Sequence, residues 1–276
     1  MRLSPILLSA CFCFPVMAGE TPWQNVAPDV SIRLVSAGQV SATGKALIAL
    51  EIDMPESTKT YWRVPGESGL PADLDFSGSS GLEGHRILWP YPLREQKSGL
   101  LDYVYYGHTI LPIELDFGGS EHVIDLTATL GICSEICVPA QLHLTLPLAE
   151  SGPDAPNSLR IRQALAEVPI DWTGADQPIG AVSLLPDEAA IAITDLHDRV
   201  DPASLIAATS DGEPLFGAPQ KSPQSDLVVL PILSKSDNSA LEGMNVEVTF
   251  MTDMGAYVVN RTIKAGNAED EAELDQ

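Results

Sequence analysis

Cysteine is scarce in this sequence. The 276 residues hold four, and two of them, Cys11 and Cys13, fall within the first eighteen positions. Cationic residues are scarce as well: 15 lysines and arginines stand against 38 aspartates and glutamates, a formal net charge of −23. A surface this acidic repels phosphate backbones and anionic lipid, which argues against nucleic acid as a partner. Beyond the N-terminus no apolar run approaches the roughly 20 residues that cross a bilayer, so no transmembrane segment is expected in the mature chain. Glycine-rich phosphate loops and nucleotide fingerprints are missing, and no organic cofactor is expected. No hydrolase constellation stands out.

The N-terminus, "MRLSPILLSACFCFPVMAGE", begins with Arg2, runs through an apolar segment and reaches Val16-Met17-Ala18. That is the pattern of a secretory signal with small residues at its cleavage site, here residues 1–18. Cleavage after Ala18 removes Cys11 and Cys13 and leaves Cys133 and Cys137. Export, as to a periplasm, places that pair where disulfides form and persist.

Alternating apolar residues dominate the first half. Val30, Ile32 and Leu34 alternate with Ser31 and Arg33, and Ile48, Leu50 and Ile52 with Ala49 and Glu51. Ile124 to Leu130 and Leu142 to Leu146 follow the same rule. Period two sends such side chains to one face of a strand. Glycine- and proline-rich clusters such as "VPGESGLP" (64–71) punctuate the strands. The fold class expected is all-β: a β-sandwich over residues 25–150, then a second, smaller β domain over 175–265. Residues 151–174 read as a linker carrying one short helix, with Ser158 as its cap and an end near Pro169. The acidic end, 266–276, reads as a disordered tail.

The segment "GICSEICVPA" (131–140) holds the remaining cysteine pair, with three residues between the two. A structural staple is one reading. A loop of about five residues yields roughly 2 kcal/mol of chain-entropy stabilisation, against roughly 4 for a loop of tens of residues. A sandwich gains more from joining its two sheets. Metal binding is a second reading, with His143 as a nearby imidazole for a soft metal. His143, however, falls on the polar face of its strand, and no metal is expected. Redox exchange is the third: a close pair opens and closes within one local segment. Glu135 lies between the two sulfurs, and no cationic neighbour in this segment marks either thiolate as favoured.

Three segments resemble the periplasmic N-terminal domain of the DsbD-type and ScsB-type thiol:disulfide interchange proteins. They are "TYWRVPGESGLP" (60–71), "WPYPLREQKSGLLDYVYYGHTILPIEL" (89–115) and "GICSEICVPAQLHLTLPL" (131–148). The resemblance implies an immunoglobulin-like domain whose pair, Cys133 and Cys137, forms a disulfide and carries electrons as a protein-disulfide reductase or carrier. It implies thioredoxin-like periplasmic partners and a separate membrane thiol reductase, with the chain expected to work as a free-standing module. It also implies Cys137 as the sulfur that meets the partner. Tyr61, Trp62, Tyr91 and Glu95 become candidates for the surrounding pocket. Relatives commonly carry a shielding aromatic after the Trp-Pro segment. Here that run is Leu93-Arg94-Glu95-Gln96, and Tyr91 is the aromatic left to substitute. The rival reading, a binding or assembly module with an inert disulfide, explains the acidic surface and second domain equally well.

Overall fold

The computed structural model describes residues 19–148, 152, 154–194, 196–221, 227–233 and 238–266. The expected signal segment 1–18 and nearly all of the acidic tail lie outside these residues. In the first half, strands run in chain order as β1 (Gln24–Ala27), β2 (Val30–Ser36), β3 (Lys45–Asp53), β4 (Lys59–Gly66), β5 (Asp73–Asp75) and β6 (Leu82–Ile87). They continue as β7 (Leu93–Lys97), β8 (Leu100–Tyr106), β9 (Thr109–Phe117), β10 (Val123–Cys133) and β11 (Cys137–Pro147). One sheet has the order β1-β2-β3-β9-β6; the other has β11-β10-β4-β8-β7, with β5 also paired to β10.

Alternation turns Ile32, Leu34, Ile48, Leu50, Leu111 and Ile113 of the first sheet towards Trp62, Tyr103, Ile124, Leu126, Leu130 and Leu144 of the second, in one buried cluster. This is the immunoglobulin-like sandwich that the alternating pattern and the family segments predict. At about 1.5–3 kcal/mol for each fully buried large apolar side chain, these two inner faces dominate the stability of the unit.

Residues expected to lie in a linker pack instead on the outer face of the first sheet. Helix α1 (Ala155–Leu165) buries Ile161 against Val35 and Ala49. Its cap is Asp154, which accepts a hydrogen bond from the Asn157 backbone N–H, with Pro156 in the first turn. Ser158, the cap expected from sequence, lies within the helix and donates its hydroxyl to the Ala37 carbonyl at 2.7 Å. Beside it Glu51, almost wholly buried, accepts from Arg33 at 2.6 Å and pairs with His108 and Arg160. Ala49 and Glu51, outward by alternation, are therefore buried beneath the helix.

The second half adds β12 (Ile170–Asp171), β13 (Val182–Leu184), β14 (Ala190–Ile193), β15 (Ile206–Ala208), β16 (Leu215–Phe216), β17 (Gln220–Lys221), β18 (Val228–Leu233), β19 (Asn245–Thr252) and β20 (Gly255–Ala265). They form one sheet with its own core around Phe216, Phe250, Ile191 and Val248. The two halves are in contact: Ile206, Ala208 and Leu215 join the apolar cluster of the first. Arg63 bonds Glu247 at 2.5 Å across the junction.

Candidate redox site

β10 and β11 form a long antiparallel hairpin in continuous register, from Val123 opposite Pro147 to Cys133 opposite Cys137. Ser134, Glu135 and Ile136 make its turn. The register places the two cysteines face to face at the hairpin tip, and they are joined as a disulfide. Their surroundings differ. Cys133 is 1% exposed, whereas Cys137 lies open to solvent. Exposed apolar side chains flank Cys137: Ile136 at 74%, with Val138 and Leu70.

Tyr61 covers the buried sulfur. Its hydroxyl stands 2.8 Å from Cys133 Sγ and 3.6 Å from Cys137 Sγ. Two glycines let the ring lie there. A Cβ on Gly131 would come within 2.9 Å of Tyr61 Cδ2, and one on Gly69 within 2.6 Å of Tyr61 Cδ1. The turn-like segment "VPGESGLP" thus has a packing purpose. Gly69 seats the ring and Leu70 closes over Gly131, so that Tyr61, Gly69, Leu70, Gly131 and Cys137 line a shallow groove of about 330 Å³.

A charged group lies behind Tyr61. Lys59, two residues earlier on the same face of β4, is the cross-strand partner of Cys133. Its ammonium donates to the carboxylates of Glu95 and, at 3.3 Å, Asp102. It also lies 5.4 Å from the centre of the Tyr61 ring. The Tyr106 hydroxyl donates to Glu95, and Ser68 donates both its backbone N–H (2.9 Å) and its hydroxyl (2.5 Å) to Asp102. Burial lowers the Lys59 ammonium, but the bonds and charges of Glu95, Tyr61 and Asp102 together outweigh it and hold the group above the ordinary lysine value. Glu95 is held below the ordinary range by Lys59 and then Tyr106. Burial raises the Tyr61 phenol, with Lys59 opposing in part.

Of the pocket residues expected from sequence, Tyr61 touches the disulfide and Glu95 holds Lys59 beside the Tyr61 ring. Trp62 and Tyr91 are not brought there. Trp62 points into the sandwich core, edge-on to Tyr103, because alternation puts it opposite to Tyr61. Tyr91 turns towards the second half, where its hydroxyl donates to the Ser204 carbonyl at 2.5 Å, and burial pushes its phenol up to about 12. It therefore does not replace the missing aromatic shield. Nor does His143 approach the cysteines: it faces outward and bonds Asp125 at 2.8 Å. The sequence pattern does not single out Lys59, Ser68, Leu70 or Asp102. For Lys59 a signal exists in the period of two that links it to Tyr61, and it supplies the cation that the segment around the cysteines lacks.

Residues 31–149 match the family described as thiol:disulfide interchange protein DsbD, N-terminal. The crystal structure of the N-terminal periplasmic domain of ScsB from Proteus mirabilis is similar with a TM-score of 0.72 and 24% identity, covering 90% of this chain and 100% of that one. At that identity the likeness is one of fold, and it extends over both β halves. A titin A168169 structure (12% identity, TM-score 0.20, 83% of this chain and 94% of that one) and the periplasmic chaperone SfaE (8%, 0.21, 84% and 100%) also match, at scores that carry no argument. No curated protein matches the chain. With the hairpin-tip disulfide and the family match in the same stretch, residues 31–149 form a domain of the DsbD/ScsB N-terminal type.

Proposed function

We propose that this protein is a periplasmic carrier of reducing equivalents, passing them between thioredoxin-like proteins through Cys133 and Cys137. The observation that carries the reading is the asymmetry of the pair: an open Cys137 within an apolar rim, and a buried Cys133 under a hydroxyl donor. Compartment and partners rest on the export-type N-terminus and on the family resemblance, which also makes a separate membrane thiol reductase the upstream donor.

The electron count closes without a cofactor. A thiolate of the donor attacks Cys137 Sγ, forming a mixed disulfide and releasing Cys133 as a thiolate. The donor's second thiol loses its proton and attacks its own sulfur in that bond. Cys137 then leaves as a thiolate, two electrons have moved, and the donor is a disulfide. The forward delivery runs in the opposite sense: Cys137 attacks the acceptor's disulfide and Cys133 resolves the intermediate. Tyr61 has one part in both directions, donating a hydrogen bond to Cys133 Sγ when that sulfur is anionic. Its phenol, raised by burial, stays protonated for the purpose.

The reading is tested by equilibrating the purified protein with glutathione and thioredoxin redox buffers. An exchange pair settles within their span, roughly −180 to −270 mV, while an inert structural disulfide stays oxidised below about −300 mV. The second outcome would favour a binding module with a stapled hairpin.

A further inference from the structure

Exchange leaves a charge problem. Its first step releases Cys133 as an anion at a position only 1% exposed, where water supplies little solvation. Tyr61 offers one donor. We infer that Lys59 is the counter-charge of the Cys133 thiolate, and that Glu95 and Asp102 set its strength by fixing where the ammonium sits. The inference deepens the exchange reading above and rests on it.

Three features of the geometry point this way. Lys59 is directly opposite Cys133 on the neighbouring strand, so both side chains leave the same face of the sheet. Its ammonium borders the Tyr61 ring, whose hydroxyl touches Cys133 Sγ. Its side chain is only 12% exposed, so salt and water screen its field little. The other charged or titratable groups around Cys133 are Tyr61 on β4, Glu95 on β7, Asp102 and Tyr106 on β8, and the exposed Glu135 of the turn.

Charge balance then fixes the signs. Lys59, Glu95 and Asp102 together carry −1. A thiolate at Cys133 brings the group to −2, and without the lysine it would reach −3. Removing Lys59 must therefore oppose the thiolate, and removing the charge of Glu95 must favour it. A network that serves only packing has no such opposition, since either substitution loosens the same bonds. Lys59 is thus a positioning residue of the exchange chemistry, acting on the sulfur by its field and through the Tyr61 ring.

The test uses the full chain with Cys137→Ala, which leaves Cys133 as the single mature thiol, and follows its ionisation by ultraviolet thiolate absorbance against pH. Lys59→Met is expected to raise the ionisation pH by about one unit or more, a tenfold loss of thiolate at a given pH below the transition. Glu95→Gln is expected to lower it, and Lys59→Arg to stay near the parent. In the two-cysteine chain, reduction by dithiothreitol should slow with Lys59→Met and quicken with Glu95→Gln. Shifts of the same sign in both variants, or no shift in either, would overturn the inference. Glu95→Gln is near-isosteric and keeps the test standing if Lys59→Met does not fold. Failure of the exchange reading is seen elsewhere, in a parent disulfide that does not equilibrate with thiol buffers, and leaves the titration interpretable.

Discussion

Replacing Tyr61 with phenylalanine is the sharpest single perturbation of the site. It removes one oxygen and leaves the ring seated between Gly69 and Gly131. In the oxidised protein the loss is small, because a disulfide sulfur is a weak acceptor. On reduction the hydroxyl, which stands 2.8 Å from Cys133 Sγ in the disulfide form, faces an anion, and a hydrogen bond to a charged group is worth about 1.5–3 kcal/mol. The difference falls on the ionised state of Cys133. At about 1.4 kcal/mol per pKa unit, its ionisation should move up by about 1–2 units. Cys133 also becomes a poorer leaving group, so dithiothreitol should reduce the Tyr61→Phe disulfide about tenfold more slowly at a fixed neutral pH. Stopped-flow reduction across a pH series reads the rate, and thermal unfolding of the oxidised form checks that the fold is kept. A variant reduced at the parent rate throughout the series would refute the role given to the hydroxyl. So would a Cys133 that ionises at lower pH.

Other consequences are as direct. Ile136→Asp, at the exposed hairpin turn, should slow exchange with a thioredoxin-like protein about tenfold while leaving reduction by dithiothreitol within about twofold, since only the protein partner needs the apolar rim. Arg94→Ala removes guanidinium bonds to the Ala203 and Leu205 carbonyls and should cost about 1–3 kcal/mol in denaturant unfolding, with faster proteolysis of the second half. Glu51→Gln should cost about 2 kcal/mol at neutral pH through lost charged bonds to Arg33, His108 and Arg160. Burial pushes the Glu51 carboxyl up, yet Arg33, His108 and Arg160 together outweigh it, so its folded value lies below 4.5. Its contribution is therefore present above that pH and lost as pH falls through the folded value, and the variant's stability curve should converge on the parent's in acid.

Much of this architecture is legible in the chain because the signal is local. Alternation at Ile48-Leu50-Ile52 and at Leu142-Leu144-Leu146 gives the strands and their inward faces, whereas the pairing that sets Cys133 opposite Cys137 at a hairpin tip is seen only in the structure. Trp62 shows the limit of reading a motif as a unit. It is next to Tyr61 in the family segment, but neighbours on a strand face opposite ways, and only Tyr61 meets the sulfur. Lys59 and Asp102 are hidden for another reason. Their approach to Cys133 depends on which strands pair and in what register, set by contacts some 70 and 30 residues away in sequence. Tyr91 and Arg94 are likewise oriented by carbonyls of residues 203–205, which nothing near position 91 announces. The helix cap is Asp154 rather than Ser158, whose hydroxyl goes instead to the Ala37 carbonyl, just past the end of β2 and distant in sequence.

In the proposed exchange Cys137 meets the partner while Cys133 waits beneath Tyr61. Disulfide trapping tests it most directly. The Cys133→Ala and Cys137→Ala chains are each mixed with a thioredoxin-like protein that lacks its resolving cysteine and carries an activated sulfur, and the mixed disulfide is measured over time. The account predicts rapid capture by Cys133→Ala, in which the open sulfur remains, and at least about tenfold slower capture by Cys137→Ala, in which only the buried one does. Equal capture by the two chains, or faster capture through Cys133, would contradict it.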